Sequence, residues 1–262
     1  MRTIFFGATE LGYRCCEGLI EKGHEIVAIF SIPRRFRISY AEGPVENVTF
    51  RNFENLAERH GIPLIYIETK MSDPRYQELI ADLKPDFGLA AGWYYVIPRS
   101  VLARFDKGVA GVHASLLPKY RGGAPLVWAI INGETKTGVT LFYFDDGVDT
   151  GDIIAQREFP IAPRDTIREV YERATQTSVD LAIESIPLIA SGKAPRAPQD
   201  ESGATVYPQR SPEDGLIDWR QDCETIRNFI RAQTRPYPGA FTILHGKKVT
   251  IWDADISDVD RD

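Results

Sequence analysis

Residues 3–23 read TIFFGATELGYRCCEGLIEKG, and this stretch decides the class of fold that the sequence predicts. Thr3 to Phe6 is a run of β-favouring residues that stops at Gly7. The apolar spacing from Leu11 to Glu21 then predicts a helix, which ends before Gly23. The chain therefore opens with a strand, a turn and a helix.

The same alternation continues along the chain. Further elements are predicted as strands at 26–31, 64–67 and 87–91 and as helices at 53–60 and 74–83. Strands that alternate with helices form a parallel, doubly wound sheet, which binds ligands at the carboxyl ends of its strands. The long loop from Arg34 to Phe50 interrupts this order, as a segment that covers a bound ligand would. We therefore predict an α/β fold with a doubly wound, mostly parallel, Rossmann-like sheet.

The second half of the sequence is predicted to complete the sheet and to add a small appendage. The predicted elements are strands at 109–112, 138–144 and 216–219, a short segment at 205–209, helices at 124–131, 165–191 and 223–231, and a hairpin of 240–244 with 248–252. Thr166 is the expected cap of the long helix. We predict a catalytic domain over 1–191, a linker over 192–204 and a mainly β C-terminal domain over 205–262.

Composition and charge limit the classes of function. The chain has 262 residues, 43% apolar and 26% charged, so it can bury a full core and is neither disordered nor fibrous in type. Its formal charge of -6 argues against a generally basic surface for nucleic acid. Three cysteines suit reduced thiols, and no apolar stretch approaches the roughly 18 residues of a membrane span. We expect a cytoplasmic protein without a membrane anchor.

Two polar loops follow predicted strands. The first begins at His113, and histidine, although often structural, is the usual proton-transfer side chain near neutral pH. The second, Asp145 to Asp152, holds four acids around two glycines in a spacing unlike that of a calcium loop. Where two such loops meet at the edge of a sheet, an aspartate can orient a histidine and stabilise its charged form.

These loops resemble the signature of the formyltransferase family that uses 10-formyltetrahydrofolate. The matching residues are the His-x-Ser-Leu-Leu-Pro-x-Tyr-Arg-Gly run from His113, then Gly138-Val139-Thr140 and Asp149-Thr150-Gly151. Gly92 to Pro98 and Pro208 to Ala254 are also similar to that family, so the resemblance extends over the whole chain. It implies a formyltransferase with 10-formyltetrahydrofolate as co-substrate and no metal.

The resemblance also implies a catalytic trio, which consists of an asparagine two residues before the histidine, the histidine and the aspartate. His113 and Asp149 match, whereas Gly111 stands in the place of the asparagine. His113 is implied as the acid/base and an oxyanion donor, and Asp149 as the residue that orients it and contacts the folate. Loss of one oxyanion donor costs about 3–4 kcal/mol, so we expect Gly111→Asn to raise formyl transfer.

The expected binding residues follow from the same resemblance. The folate is expected beside Trp93, Tyr94, Tyr95, Ile97 and Pro98, although each aromatic residue could instead belong to the core. The acceptor is expected against Ser115, Lys119, Tyr120 and Arg121. Lys119 or Arg121 would hold a diphosphate, whereas a serine in this position is also typical of a turn bond.

The identity of the acceptor stays open at this point. Chain length and the run from Lys119 to Gly122 favour a nucleotide-linked amino sugar, and the negative charge argues against tRNA. Arg34, Arg35 and Arg37 keep methionyl-tRNA as the alternative, whereas the C-terminal segment argues against glycinamide ribonucleotide.

Gly111 also has three interpretations. In the first, the glycine is a deliberate substitution. In the second, a water molecule or a backbone amide replaces the missing donor. In the third, the chain binds its ligands without efficient turnover. The last would make the chain a weakened folate or nucleotide-sugar binding protein. Hydrolysis of formylfolate at the same site, and a homodimer formed through the C-terminal hairpin, also stay open.

Overall fold

A seven-stranded sheet forms the centre of the computed structural model, which describes residues 1–38 and 43–257. In chain order the elements are β1 (Thr3–Phe6), α1 (Glu10–Glu21), β2 (Ile26–Ser31), β3 (Arg35–Phe36), β4 (Val45–Glu46), α2 (Glu54–His60), β5 (Leu64–Tyr66), α3 (Pro74–Leu83), β6 (Phe87–Ala91), α4 (Arg99–Leu102), β7 (Val109–His113), β8 (Arg121–Gly122), α5 (Pro125–Ile131), β9 (Lys136–Tyr143), β10 (Ile153–Pro160), α6 (Ile167–Ala190), β11 (Val206–Tyr207), α7 (Cys223–Arg231), β12 (Ala240–Leu244) and β13 (Lys247–Ile251).

The central sheet has the strand order β10-β9-β7-β6-β1-β2-β5. The five strands from β7 to β5 in this order run parallel, whereas β9 pairs antiparallel with both β7 and β10. The prediction of a doubly wound, mostly parallel α/β sheet is confirmed. Because β6 and β7 are neighbours in the middle of this sheet, the loops that follow them lie side by side.

Buried apolar side chains on both faces of the sheet explain why its strands read as continuous apolar runs. Every residue of β1 and of β6 is buried. One face packs against a core that includes Phe5, Leu19, Leu89, Ala182 and Ile186, and the other against a core that includes Ile4, Phe6, Phe30, Ile80 and Val101. Helices therefore cover both faces, as a parallel sheet requires.

Side-chain caps fix where two helices begin. The hydroxyl of Thr9 accepts a hydrogen bond from the N–H of Gly12 at 3.2 Å, at the start of α1. Thr166 and Glu169 form a reciprocal capping box at the start of α6. The expected cap at Thr166 is confirmed.

The C-terminal region has a core of its own, and two of its elements pack against the central domain. Ile217, Ile230 and Ala240 form that core, and β12 pairs antiparallel with β13. Helix α7 packs against α5, and β11 pairs in parallel with β8. None of the helices in the described ranges is long and apolar enough to cross a membrane.

The structure differs from the sequence predictions in several elements, and the short elements α4 and β8 are among those that the sequence does not predict. The predicted strand at 216–219 is wrong, because Leu216 makes only a one-residue bridge to Phe241 and its side chain is 53% exposed. The edge strand β10 goes unpredicted, since most of its residues are exposed or half-buried and it ends at Pro160. The predicted loop at 34–50 contains the β3–β4 pair, and its residues 39–42 lie outside the described residues, as do 258–262 of the predicted C-terminal domain.

Candidate active site

The side chain of His113 lies at the carboxyl end of β7 and is 10% exposed. Its Nε2 lies 2.7 Å from the carbonyl oxygen of Tyr120. Because a carbonyl oxygen can only accept a hydrogen bond, Nε2 carries the proton of the neutral ring and donates it. The lone pair of Nδ1 is therefore free to take a proton, and Nδ1 lies 3.6 Å from Oδ2 of Asp149.

Asp149 joins the two polar loops. Its backbone is left-handed (φ 57), a conformation that aspartate adopts more readily than most residues. The same Oδ2 that faces His113 accepts a hydrogen bond of 2.8 Å from the N–H of Gly122. The two loops thus meet, and the carboxylate can stabilise positive charge on the histidine ring.

Turn bonds and close backbone contacts explain most of the acidic loop. Oδ1 of Asp145 accepts hydrogen bonds from the N–H of Gly147 (2.9 Å) and the hydroxyl of Thr150 (2.7 Å). A Cβ on Gly151 would lie 1.8 Å from the carbonyl oxygen of Tyr143, so only glycine fits there. In the described part of the chain, no group of three or more His, Cys, Asp or Glu side chains is placed to hold a metal.

The polar residues of the His113 loop have different surroundings. The hydroxyl of Ser115 donates to the carbonyl oxygen of Lys119 at 2.6 Å, which is a turn bond, and Lys119 itself is exposed. Tyr120 has a left-handed backbone (φ 60), and its hydroxyl donates to Glu134 at 2.7 Å. Burial raises the pKa of this Tyr120 hydroxyl well above its usual range.

Arg121 is engaged within the chain. Its side chain is 5% exposed, and the guanidinium donates to the carboxylate of Glu201 at 2.6 and 2.8 Å and to Oε1 of Gln199 at 2.7 and 3.1 Å. The hydrogen bonds to Glu201 raise the pKa of Arg121 further. Of the two cations expected on a diphosphate, Lys119 is therefore the one that faces solvent.

The space beside Gly111 is filled by an aromatic ring. A Cβ built on Gly111 would lie 2.0 Å from Cε1 and 2.5 Å from Cζ of Phe144. A side chain at position 111 therefore fits only if the ring of Phe144 moves. This contact changes the expectation for Gly111→Asn, because the single substitution has no room for its carboxamide.

The loop that begins at Gly92 leaves the sheet next to His113. Ala91 pairs with Val112 in the β6–β7 register, so the carboxyl ends of the two strands are adjacent. Gly92 has φ 61, and a Cβ there would lie 1.8 Å from the hydroxyl oxygen of Thr9. Glycine is therefore required where this loop starts.

The three aromatic side chains of this loop differ in their polar contacts. Trp93 packs edge-on against Phe6, and its Nε1 is buried with no hydrogen-bond partner in the described ranges. The hydroxyl of Tyr94 donates to Oδ1 of Asn47 at 3.0 Å, and the hydroxyl of Tyr95 to the carbonyl oxygen of Arg37 at 3.1 Å. The two tyrosines thus tie this loop to the segment that precedes α2.

The last two residues expected on the folate lie nearer the core. Ile97 is 5% exposed and packs in the core cluster that contains Phe6. Pro98 directly precedes α4 in an extended conformation. Asn47, which the sequence analysis does not single out, is 2% exposed and donates to the carbonyl oxygen of Ala8 at 2.8 Å.

Two of the three early arginines are paired with the same acid. Arg34 lies 3.6 Å and Arg35 3.4 Å from carboxylate oxygens of Glu46. The guanidinium of Arg99, the residue after Pro98, lies 3.4 Å from a carboxylate oxygen of Asp146. Arg34, Arg35 and Arg99 thus each have a carboxylate partner within the chain.

The sequence matches two models of known protein families. The model described as formyl transferase matches residues 1–186, and that described as formyl transferase, C-terminal domain, matches residues 210–261. Among curated proteins, the methionyl-tRNA formyltransferase of Geotalea uraniireducens (strain Rf4) is 37% identical over 252 residues, which are 96% of this chain and 78% of that protein.

Solved structures share the fold. The N-formyltransferase from Helicobacter canadensis in complex with folinic acid and dTDP-3-aminofucose has a TM-score of 0.72 at 21% identity, over 94% of this chain and 85% of that chain. HypX from Aquifex aeolicus in complex with tetrahydrofolic acid has a TM-score of 0.69 at 23% identity, over 97% of this chain. This chain spans only 37% of the HypX chain.

Proposed function

Because this chain belongs to the formyl transferase family, we propose that it transfers the formyl group of 10-formyltetrahydrofolate to the amine of a nucleotide-linked amino sugar. Members of the family are enzymes that transfer formyl groups, so the chain is a formyltransferase and its formyl donor is 10-formyltetrahydrofolate. The amino sugar and the roles of individual residues are the proposed parts.

His113 is the proposed proton carrier. The neutral amine attacks the formyl carbon and forms a new C–N bond, and the bond between that carbon and the folate nitrogen then breaks. Nδ1 of His113 takes the proton that the amine loses and gives a proton to the folate nitrogen as it leaves. Asp149, 3.6 Å away, stabilises the imidazolium between these two steps.

The geometry of His113 is the observation that favours an enzyme over a binding protein. The hydrogen bond from Nε2 to Tyr120 leaves the lone pair on Nδ1, the nitrogen that faces Asp149. A binding protein has no need of a ring nitrogen kept free in this way. Once protonated, Nδ1 is also the proposed donor to the oxyanion, since Gly111 offers no side chain for that purpose.

The folate is proposed to lie along the loop from Gly92 to Pro98, which starts beside the strand of His113. Backbone groups of this loop would recognise the pterin, and Asp149 would contact the folate. The buried Nε1 of Trp93 has no hydrogen-bond partner among residues 1–38 and 43–257. This supports a polar contact in this region, because a buried N–H without a partner costs about 1–3 kcal/mol.

Charge is the observation that supports a small acceptor. A tRNA needs many unpaired cations, whereas a nucleoside diphosphate needs one or two. The net charge is -6, and Arg34 and Arg35 already share Glu46. Lys119 is exposed, and within the described ranges no carboxylate lies within 4.0 Å of its ammonium group. We propose that Lys119 contacts the diphosphate of the acceptor.

Methionyl-tRNA is the second candidate acceptor. The 37% identity with the methionyl-tRNA formyltransferase of Geotalea uraniireducens favours it. Arg34, Arg35 and Arg37 would be the phosphate contacts, and the first two would have to exchange Glu46 for phosphate. This candidate therefore predicts a strong salt dependence of KM, which a sugar acceptor would not show.

An acceptor panel tests the proposal. The protein is mixed with 10-formyltetrahydrofolate and, separately, with nucleotide-linked amino sugars, methionyl-tRNA and glycinamide ribonucleotide, and both acceptor mass and tetrahydrofolate release are followed. We expect one amino sugar to gain a formyl group. Tetrahydrofolate release without any acceptor would instead identify hydrolysis, and binding of the donor without product would identify a binding protein.

A further inference from the structure

The segment after α6 contacts both catalytic loops. Ala197 exchanges two backbone hydrogen bonds of 2.8 and 3.0 Å with Ile153, just after the acidic loop. Farther along, the hydroxyl of Thr205 accepts a hydrogen bond of 2.8 Å from the N–H of Tyr120. Gln199 lies between these two attachments, and its side chain is the group that reaches both loops.

The carboxamide of Gln199 makes four hydrogen bonds. Its Nε2 donates to the carbonyl oxygens of Asp149 (2.9 Å) and Gly151 (2.8 Å) in the acidic loop. Its Oε1 accepts from Nε (3.1 Å) and Nη2 (2.7 Å) of Arg121 in the His113 loop. Both N–H groups and both lone pairs of the amide are therefore used.

Only an amide satisfies both sets of partners. Two carbonyl oxygens can only accept hydrogen bonds, and a guanidinium can only donate them, so the orientation of the Gln199 amide is fixed by its partners. A carboxylate at the same place would keep the contact with Arg121. It would, however, turn a second oxygen toward the carbonyl oxygens of Asp149 and Gly151, with no hydrogen to share.

Arg121 connects this amide to the reacting groups. The residues on either side of it make the two contacts that define the pair: the carbonyl oxygen of Tyr120 accepts from His113, and the N–H of Gly122 donates to Asp149. A change in the position of Arg121 therefore moves the contacts of both residues. Gln199 holds Arg121 from one side and the backbone of Asp149 from the other.

We propose that Gln199 is a positioning residue for the proposed formyl transfer, which sets the relative placement of His113 and Asp149. It touches neither residue's reacting atoms, so it acts through Arg121 and the backbone of Asp149. The inference rests on the proposed roles of His113 and Asp149. Its four bonds join residues that lie 48 to 78 positions apart in sequence.

The test compares Gln199→Glu with Gln77→Glu. Gln77 makes the same kind of bond, from its Nε2 to the carbonyl oxygen of Ser72 at 3.0 Å, but lies on α3, away from both loops. We expect Gln199→Glu to lower kcat by about 10- to 100-fold while KM for both substrates changes less than about twofold. Gln77→Glu is expected to keep the wild-type kcat.

A second variant and a spectroscopic readout separate positioning from stability. Gln199→Met removes all four bonds without adding charge, and we expect the same fall in kcat with a lower melting temperature that still lies above the assay temperature. Nitrogen NMR of the histidine rings is expected to show His113 as the Nε2-protonated tautomer in the wild type and as a mixture in Gln199→Glu. An unchanged kcat and tautomer in both variants would overturn the inference.

Two further outcomes would show whether the inference or the proposed function is wrong. If both Gln199 variants unfold, or lose folate binding in proportion to kcat, Gln199 is a structural residue and the inference is wrong. If the wild type transfers no formyl group to any acceptor, the proposed function fails. The tautomer of His113 then still tells whether Gln199 positions the ring, so the two failures are distinguishable.

Discussion

The ring of Phe144 occupies the space that a side chain at position 111 would need, because a Cβ on Gly111 would lie 2.0 Å from Cε1 of that ring. The backbone of Phe144 is held by a 2.8 Å hydrogen bond from its N–H to Val109, so the ring can yield only by turning. Gly111 and Phe144 are thus a matched small and large pair. The ring of Phe144 thus fills the space where the family resemblance implies a carboxamide.

This pairing sets the expected behaviour of Gly111→Asn. The single substitution is expected to lower the free energy of unfolding by about 1–3 kcal/mol without raising formyl transfer, because the new side chain overpacks the site. Gly111→Asn combined with Phe144→Leu is expected to form product faster than Phe144→Leu alone, since the carboxamide then has room to donate to the oxyanion. Urea unfolding measures the loss of stability, and initial rates of product formation measure the effect on formyl transfer. A single variant that is stable and faster would contradict the pairing.

A substitution of Asp149 tests the proposed proton transfer by His113. Asp149→Asn keeps an oxygen that can accept from the N–H of Gly122 but loses the charge that stabilises the imidazolium. We expect kcat to fall by about 10²- to 10⁴-fold with folate affinity retained. Asp146→Asn, an exposed acid of the same loop paired with Arg99, is the matched control. Equal rates for the two variants would remove Asp149 from the mechanism.

The loop from Gly92 to Pro98 needs a glycine at its first position. We expect Gly92→Ala to lower the free energy of unfolding by about 2–4 kcal/mol, because alanine would combine a left-handed backbone with a clash against Thr9. Gly246→Ala is the control, since its φ is 73 and a Cβ there meets no described atom within 4 Å. It is expected to cost about 1–2 kcal/mol, from backbone strain alone. Equal losses in urea unfolding would show that the Thr9 contact is unimportant.

Acid should weaken the ion pair between Asp165, just before α6, and Arg173 in α6. The hydrogen bonds from Arg173, and then that from the N–H of Ala162, hold the pKa of Asp165 below its ordinary value of 3.8. A carboxyl group with a lower pKa in the folded state stabilises the fold above its unfolded pKa and loses that effect as pH falls through the folded value. We expect Asp165→Asn to cost about 1–2 kcal/mol at pH 7.

The pH dependence of stability shows whether the effect of Asp165→Asn comes from the charge of Asp165. The difference in unfolding free energy between wild type and Asp165→Asn is expected to shrink once pH falls below about 4. Urea unfolding at several pH values measures it. A difference that stays constant down to the acid limit would show that the charge of Asp165 does not contribute.

The parallel sheet could be predicted because its strands are buried on both faces and read as uninterrupted apolar runs, as in β1 and β6. The edge strand β10 could not, since only one of its faces is buried and its polar residues resemble a loop. The strand predicted from Leu216 to Trp219 is absent for a different reason. These residues favour a strand, but they find only a single bridging partner in the C-terminal region.

The site was predictable only where its residues form a local motif. His113 ends β7, Asp149 lies in the loop after β9, and both stand in short signatures, so sequence alone draws attention to them. Phe144 and Gln199 carry no such signal, because their importance comes from packing and from hydrogen bonds to residues far away in the sequence. The engagement of Arg121 with Glu201 is likewise a tertiary contact that no spacing indicates.

A competition experiment tests the proposed acceptor most directly. The protein receives 10-formyltetrahydrofolate labelled in the formyl group, together with equal concentrations of a nucleotide-linked amino-sugar mixture and methionyl-tRNA, and the label is measured in the small-molecule and RNA fractions. Asp149→Asn serves as the background. We expect the label in the small-molecule fraction, at a rate little affected by salt. Label in the RNA fraction that falls steeply as salt rises would contradict the amino-sugar proposal and identify methionyl-tRNA as the acceptor.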